Sequence, residues 1–233
     1  MDGPMYCTLL FTLLLSLVST GYSQSITRTL NMRIGFANIR RGFVEKADDI
    51  EAFLIDNGLQ ILGLCETDLL EHEHPPSISG FQCVLPNRLP HRVAVYVKND
   101  IQYEILHYNG ELPAVIIRTH HTTFGFAYNS FTDKPYTKQR RKLSEKDRMI
   151  RVSDFLDWFA LHASKQFILM GDFNCNWFEG TTFRNKIFNW CLDNDATQVI
   201  NSPTRVVGDS STLLDLCITR IHKMESTHHI HDL

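Results

Sequence analysis

The chain has 233 residues, 43% of them hydrophobic and 21% charged, the composition of an ordinary globular protein. The length fits one large domain or two small ones, and no linker rich in Gly, Ser or Pro divides the chain after residue 25, so one domain is expected. A net charge of −3 excludes a global attraction for nucleic acid; any such binding must use a local basic patch.

The first feature is an uncharged apolar run from Tyr6 to Thr20. It is short for a membrane span but has the length of a secretory h-region, and Gly21-Tyr22-Ser23 offers cleavage after Ser23. Asp2 and the absence of Lys or Arg before the run count against this. Residues 1–23 therefore read as a signal peptide or hydrophobic leader, with an uncleaved anchor or a mistaken upstream start as alternatives. A true signal would route the protein to the secretory pathway; a mistaken start would leave it nuclear or cytoplasmic. The five cysteines beyond Cys7 are odd in number and lack the spacing of a disulfide framework.

Met32–Asn38 alternates as a strand. Phe43, Ala47, Ile50, Phe53 and Leu54 recur at helical spacing, with Gly58 as a stop, and Gln60–Glu66 has the length of a buried strand. Short strands follow at Phe81–Leu85, Arg92–Lys98, Gln102–His107, Pro113–Thr119 and Thr123–Asn129, spaced as in antiparallel sheets packed into a sandwich. A second helix carries Met149, Val152, Phe155, Leu156 and Phe159 on one face. Gln166–Asp172 is another buried strand, Phe183–Leu192 a short helix and Leu213–Thr219 a late strand. The fold class is α+β, a layered sandwich with outer helices.

Three of these apolar strands end in a polar group: Asn38, Glu66, and Asp172 with Asn174 just beyond. A carboxylate there must be solvated, paired or bound to a cation, because isolated burial is too costly. Oxygen ligands at strand ends suit a hard cation such as Mg²⁺, and the Cys and His residues do not fall at zinc-ligand spacings. Any one of these residues alone is more often an ordinary turn cap; Gly171-Asp172-Phe173-Asn174 after four apolar residues is the strong signal.

That string resembles the signature of the endonuclease/exonuclease/phosphatase superfamily. Asn38-Ile39-Arg40 is similar to the family's first-strand Asn, and Leu62 to Thr67 to its metal-binding Glu strand. Val93 to Val97 resembles the strand after the family's glycine pair, here replaced by His91-Arg92, and Tyr128 stands where the family places a Tyr. Ser202-Pro203-Thr204-Arg205 and Ser210 to Leu216 are most similar to the endonucleases of LINE-type retrotransposons.

The resemblance implies a DNase-like, four-layered sandwich of two mixed sheets flanked by helices over 30–220. It implies a Mg²⁺-dependent phosphodiesterase (Mn²⁺ being the other candidate ion) that cuts DNA. Glu66 would hold the metal, Asp172 would orient or deprotonate the attacking water, Asn174 and Asn38 would position the phosphate or fill out the metal's surroundings, and Tyr128 would hydrogen-bond a phosphate oxygen. Asp215 would orient a histidine.

The family's final Ser-Asp-His tripeptide does not occur. Residues 221–233 form a His-rich tail, the truncated or divergent end of the domain, in which His229 and His231 are the candidates for the missing role. Such a tail is solvated or frayed by default, which leaves open whether the last strand or strands are present. A basic stretch including Arg140, Arg141 and Lys142, with Arg205, could track a nucleic-acid backbone or be a solvated face. No stable protein partner is implied, and no membrane span beyond the leader. The competing readings are a catalytically dead remnant that binds nucleic acid or protein, and a phosphatase or phospholipid phosphodiesterase on the same fold.

Overall fold

The computed structural model describes residues 5–18, 27–89, 91–133, 141–221 and 224–230, with side chains placed for 32–89, 91–133 and 141–221. In chain order the elements are β1 (Met5–Val18), β2 (Thr27–Asn38), α1 (Ala47–Asp56), β3 (Ile61–Leu69), β4 (Phe81–Val84), β5 (His91–Lys98), β6 (Glu104–Leu106), β7 (Ala114–Arg118) and β8 (Thr122–Tyr128). Then follow α2 (Glu145–His162), β9 (Gln166–Asp172), α3 (Thr182–Asp193), β10 (Thr197–Gln198), β11 (Arg205–Val207), β12 (Ser210–Thr212), β13 (Asp215–Thr219) and β14 (Met224–Ile230).

The strands form two mixed sheets. The first runs β12-β11-β1-β2-β3-β5-β4, with β14 also pairing with β1; the second runs β10-β13-β9-β8-β7-β6. The alternation seen in the sequence sorts side chains into layers. Ile34 and Phe36 of β2, and Ile61 and Cys65 of β3, point into the space between the sheets with Phe124 and Phe126 of β8. Leu62 and Leu64 point the other way, onto Ile50, Phe53 and Leu54 of α1. On the far side of the second sheet, Phe159 of α2 covers Phe167 and the glycine at 125, with Phe155 packed beside it. The result is the four-layered α+β sandwich expected from the sequence. Gly63 makes the sheets' close approach possible, since a Cβ there would come within 2.0 Å of the Phe126 ring.

Two parallel pairs decide where polar groups gather. β2 and β3 run parallel, joined through α1, and β8 and β9 run parallel, joined through α2. A parallel pair brings its two C-terminal ends together, so Asn38 and Glu66 share one end of the first sheet, and Tyr128 and Asp172 one end of the second. β13 is antiparallel to β9, which sets its first residue, Asp215, directly opposite Asp172.

Two segments near the chain's ends also form strands. The apolar leader is a strand that pairs with β2 over Thr8–Val18 and with β14 over Cys7–Leu13. An unbroken apolar run cannot distinguish an h-region from a sheet-interior strand by periodicity, and this one offers two long edges for pairing. The tail, expected to be solvated or frayed, contributes β14 because β1 supplies those edge hydrogen bonds. The expected strand over Gln102–His107 shortens to three residues.

Candidate active site

The site lies between the sheets at the strand ends just described. From the second sheet, Tyr128, Asp172 and Asp215 stand side by side in one cross-strand row on the face toward the first sheet. From the first sheet, the Asn38 amide donates to Glu66 Oε1 at 2.9 Å and to Asp172 Oδ2 at 3.2 Å. Asn38 therefore bridges the two sheets within the site. The Tyr128 hydroxyl donates to the same Glu66 oxygen at 3.1 Å.

Glu66 reaches this pocket because the strand is broken there. Strict alternation would send it outward with Leu62 and Leu64. Its φ of +56°, at an irregularity between Cys65 and Leu69 where β3 loses register with β5, turns it inward. Asp68 and Asn174 also have left-handed backbone, with φ of +44° and +49°. Such conformations cost roughly 1–3 kcal/mol each in non-glycine residues and gather where a site requires them. Asn174 is fixed by three bonds: its N–H donates to Asp172 Oδ1 at 2.9 Å, its amide to the Asn129 carbonyl at 2.9 Å, and its carbonyl accepts from Arg148 at 2.9 Å. The glycine of the Gly-Asp-Phe-Asn string has its own reason, since a Cβ at 171 would meet the Ala127 carbonyl oxygen at 2.4 Å.

The electrostatics are those of a buried acidic cluster. Burial, then the neighbouring Asp215 and Glu66 charges, raise the Asp172 carboxyl well above the usual range; the bonds from Asn174 and Asn38 oppose this. Burial likewise pushes Asp215 up to about 7, with Thr204 and Arg205 pulling the other way. The Asp215 Oδ1 atom is buried and, among the described residues, has no hydrogen-bond partner. None of the described salt bridges involves Glu66, Asp172 or Asp215. No three described His, Cys, Asp or Glu side chains converge closely enough to enclose a metal by themselves. The all-oxygen donor set with an unpartnered carboxylate oxygen fits a hard divalent ion that keeps several waters and takes one or two carboxylates.

Several residues that the sequence reading passed over complete the site. Arg92, where a glycine was expected, is buried and donates to Asp68 Oδ1 at 2.7 Å and to the Ser130 hydroxyl. Its guanidinium lies 4.7 Å from the Tyr128 ring centroid. The sequence signal was the lost glycine pair together with an acid two residues after Glu66. Thr204 accepts the backbone N–H groups of Leu214 and Asp215, both at 3.1 Å, and so anchors the start of β13.

The expected basic contacts divide. Arg205 follows Thr204 and is exposed near Asp215. Arg141 and Lys142 are exposed, with the Arg141 backbone tied to Asp133; Arg140 lies outside the described residues. His229 stands on β14 opposite Thr8, which is itself opposite Ala37, one position from Asn38; His231 lies outside the described residues.

A four-layered sandwich with an acidic, amide-bridged pocket at the parallel strand ends defines a class of hydrolytic domain. Residues 31–196 match the model of the Endonuclease/Exonuclease/phosphatase family, and the chain belongs to that family. The fold is similar to the endonuclease domain of TRAS1, a telomere-specific non-LTR retrotransposon, with 14% identity, TM-score 0.53, and 80% of this chain and 83% of that one covered. It is also similar to an AP endonuclease from Archaeoglobus fulgidus (13% identity, TM-score 0.58, 81% and 86% covered). A third likeness is to a mannosyl-6-phosphatase from Bacteroides thetaiotaomicron (10% identity, TM-score 0.52, 81% and 85% covered). At such identities these likenesses show the fold and leave the substrate to be argued from the site. No curated protein matches the sequence significantly. The family is generally dependent on a divalent metal.

Proposed function

We propose that the chain is a Mg²⁺-dependent phosphodiesterase that cuts DNA, in the manner of a retrotransposon endonuclease. The observation that carries the proposal is the Asn38 amide shared between Glu66 and Asp172, with Asp215 in the adjoining row and one of its oxygens unpartnered. Glu66 would hold the ion, which when bound polarises a phosphoryl oxygen and eases departure of the leaving oxygen. Asp172 takes the proton of the attacking water, and burial among acidic neighbours raises its affinity for that proton. Asn174 aims that carboxylate through its N–H, and Tyr128 and Asn38 fix Glu66. Arg205, Arg141 and Lys142 offer charge to flanking phosphates. DNA as the substrate is supported by the Pro203-Thr204-Arg205 element and by the likeness to the two endonuclease structures.

A second reading, a non-catalytic nucleic-acid-binding domain, is favoured by one observation: the family's Ser-Asp-His tripeptide does not occur in the sequence, so Asp215 would need a histidine from another context to stabilise phosphoryl charge. Supercoiled plasmid incubated with the full chain in Mg²⁺ or Mn²⁺ separates the two. Slow nicking that chelator stops supports the enzyme; tight binding without nicking supports the second reading. Phospholipid and sugar-phosphate substrates in the same buffer test the fold's other chemistries.

A further inference from the structure

Two exposed aromatic groups flank Asn174, and each is backed by an arginine. On one side, Phe131 is 43% exposed, and the Arg148 guanidinium lies 4.4 Å from its ring centroid. The same Arg148 donates to the Asn174 carbonyl, and Phe131 stands two residues after Asn129, which holds the Asn174 amide. On the other side, Phe178 is 50% exposed beside Trp177, and Arg184 lies 4.6 Å from the Trp177 ring. The Trp177 N–H donates to the Leu213 carbonyl at 2.9 Å, two residues before Asp215. Both groups are thus tied through the backbone to the acidic pocket.

Single exposed aromatics are common, but two groups, each beside an arginine and each on a segment bonded to the loops that carry Asn174 and Asp215, suit a particular ligand. Aromatic platforms interleaved with cationic side chains bind nucleic-acid strands by stacking on the bases while the cations meet the backbone. In a duplex the faces of the bases are already stacked on one another. The faces that Phe131, Trp177 and Phe178 could cover are free only where the strand is unpaired.

We propose that Phe131 and the Trp177–Phe178 pair are stacking platforms for unpaired bases on either side of the scissile phosphate, so that single-stranded or locally melted nucleic acid is the preferred substrate. This rests on the phosphodiesterase reading and adds a substrate class to it. Stacking on π-faces is tolerant of sequence, so base identity matters less than base availability.

The test is fluorescence anisotropy of the full chain in chelator, where cleavage cannot intervene. The probes are a labelled single strand, the matching duplex and a single strand of abasic sugar-phosphate units. Wild type should bind the single strand more tightly than the other two. Phe131→Ala and Phe178→Ala should each weaken single-strand binding by about tenfold, within the span expected of one base–aromatic stack, and should change binding to the abasic strand little. Both rings are exposed, so the variants should keep the wild-type circular dichroism spectrum. Equal affinity of both variants and wild type for the single strand would overturn the proposal, as would abasic strand bound as tightly as base-bearing strand. Metal-dependent nicking by wild type, measured alongside, keeps the failures apart. Nicking with unchanged variant binding removes this inference alone, whereas base-dependent binding without nicking removes the catalytic reading and leaves the platforms.

Discussion

Replacing Arg92 by Met tests the part of the site least expected from the family pattern. Arg92 and Asp68 are bonded at 2.7 Å with side chains only 9% and 3% exposed, so water can do little for either charge. Met fills much of the volume and removes the charge, leaving Asp68 buried without its partner. Breaking a pair buried to this degree costs roughly 3–5 kcal/mol, mostly the penalty of the stranded ion. For a domain of this length about 1 kcal/mol corresponds to roughly 2–4 °C, so the melting temperature should fall by about 6–20 °C.

The sign of the pH dependence follows from Asp68. Burial raises its carboxyl and Arg92 opposes the rise, so the variant's Asp68 should sit higher still. A carboxyl raised in the folded state favours folding when protonated, so the deficit should be small in mild acid and grow as pH rises through the raised value. Urea denaturation of wild type, Arg92→Met and Arg92→Met/Asp68→Leu at several pH values measures this. The double variant should recover most of the loss, since replacing both partners removes the stranded charge. A single variant within about 1 kcal/mol of wild type, a threshold set by ordinary single-site effects, would refute the reasoning. So would a double variant as unstable as the single one.

Other outcomes follow from the same geometry. In chelator the chain should lose stability as pH rises from about 4 toward 7, because Asp172 and Asp215 are raised in the folded state and must ionise without a cation. A divalent ion should restore stability most above pH 7, and a melting temperature flat with pH in chelator would contradict this. Tyr128→Phe removes the hydroxyl bonded to Glu66 and should cost about 1 kcal/mol in urea denaturation, with a lower kcat at saturating substrate; an unchanged kcat would dismiss a role for that hydroxyl. Gly171→Ala forces a Cβ against the Ala127 carbonyl and should destabilise by roughly 1–3 kcal/mol, whereas a neutral effect would mean that β8 and β9 separate easily.

Much of the sandwich was legible in the sequence because its cause is local. Alternation in β2, the short apolar runs of β3 and β9, and the 3.6-residue period of α2 report burial directly, and the polar residues ending apolar strands mark the site. What was not legible depends on partners distant in the chain. Arg92 reads as a departure from a glycine pair until Asp68 and Ser130 are seen around it. Asn38 reads as a strand-end residue until the second sheet brings Asp172 within reach. The apolar run from Tyr6 carries the same signal whether it is an h-region or a strand, and the pairing of Met5–Val18 with β2 and β14 is not visible in it. Cleavage after Ser23 would remove β1 and with it the pairing partner of β14.

The most direct test of the account is a Mg²⁺ titration of plasmid nicking by wild type and by Glu66→Gln. The substitution lowers the charge at the ion's position and nearly keeps the volume, so metal affinity should fall far more than stability. The account predicts nicking that saturates with Mg²⁺ in the wild type. In Glu66→Gln, activity should be lost, or half-saturation should move to at least about tenfold higher Mg²⁺, a change of about 1.4 kcal/mol in ion binding, with an unchanged urea midpoint. The same Mg²⁺ dependence in both proteins, or full nicking in excess chelator, would contradict it.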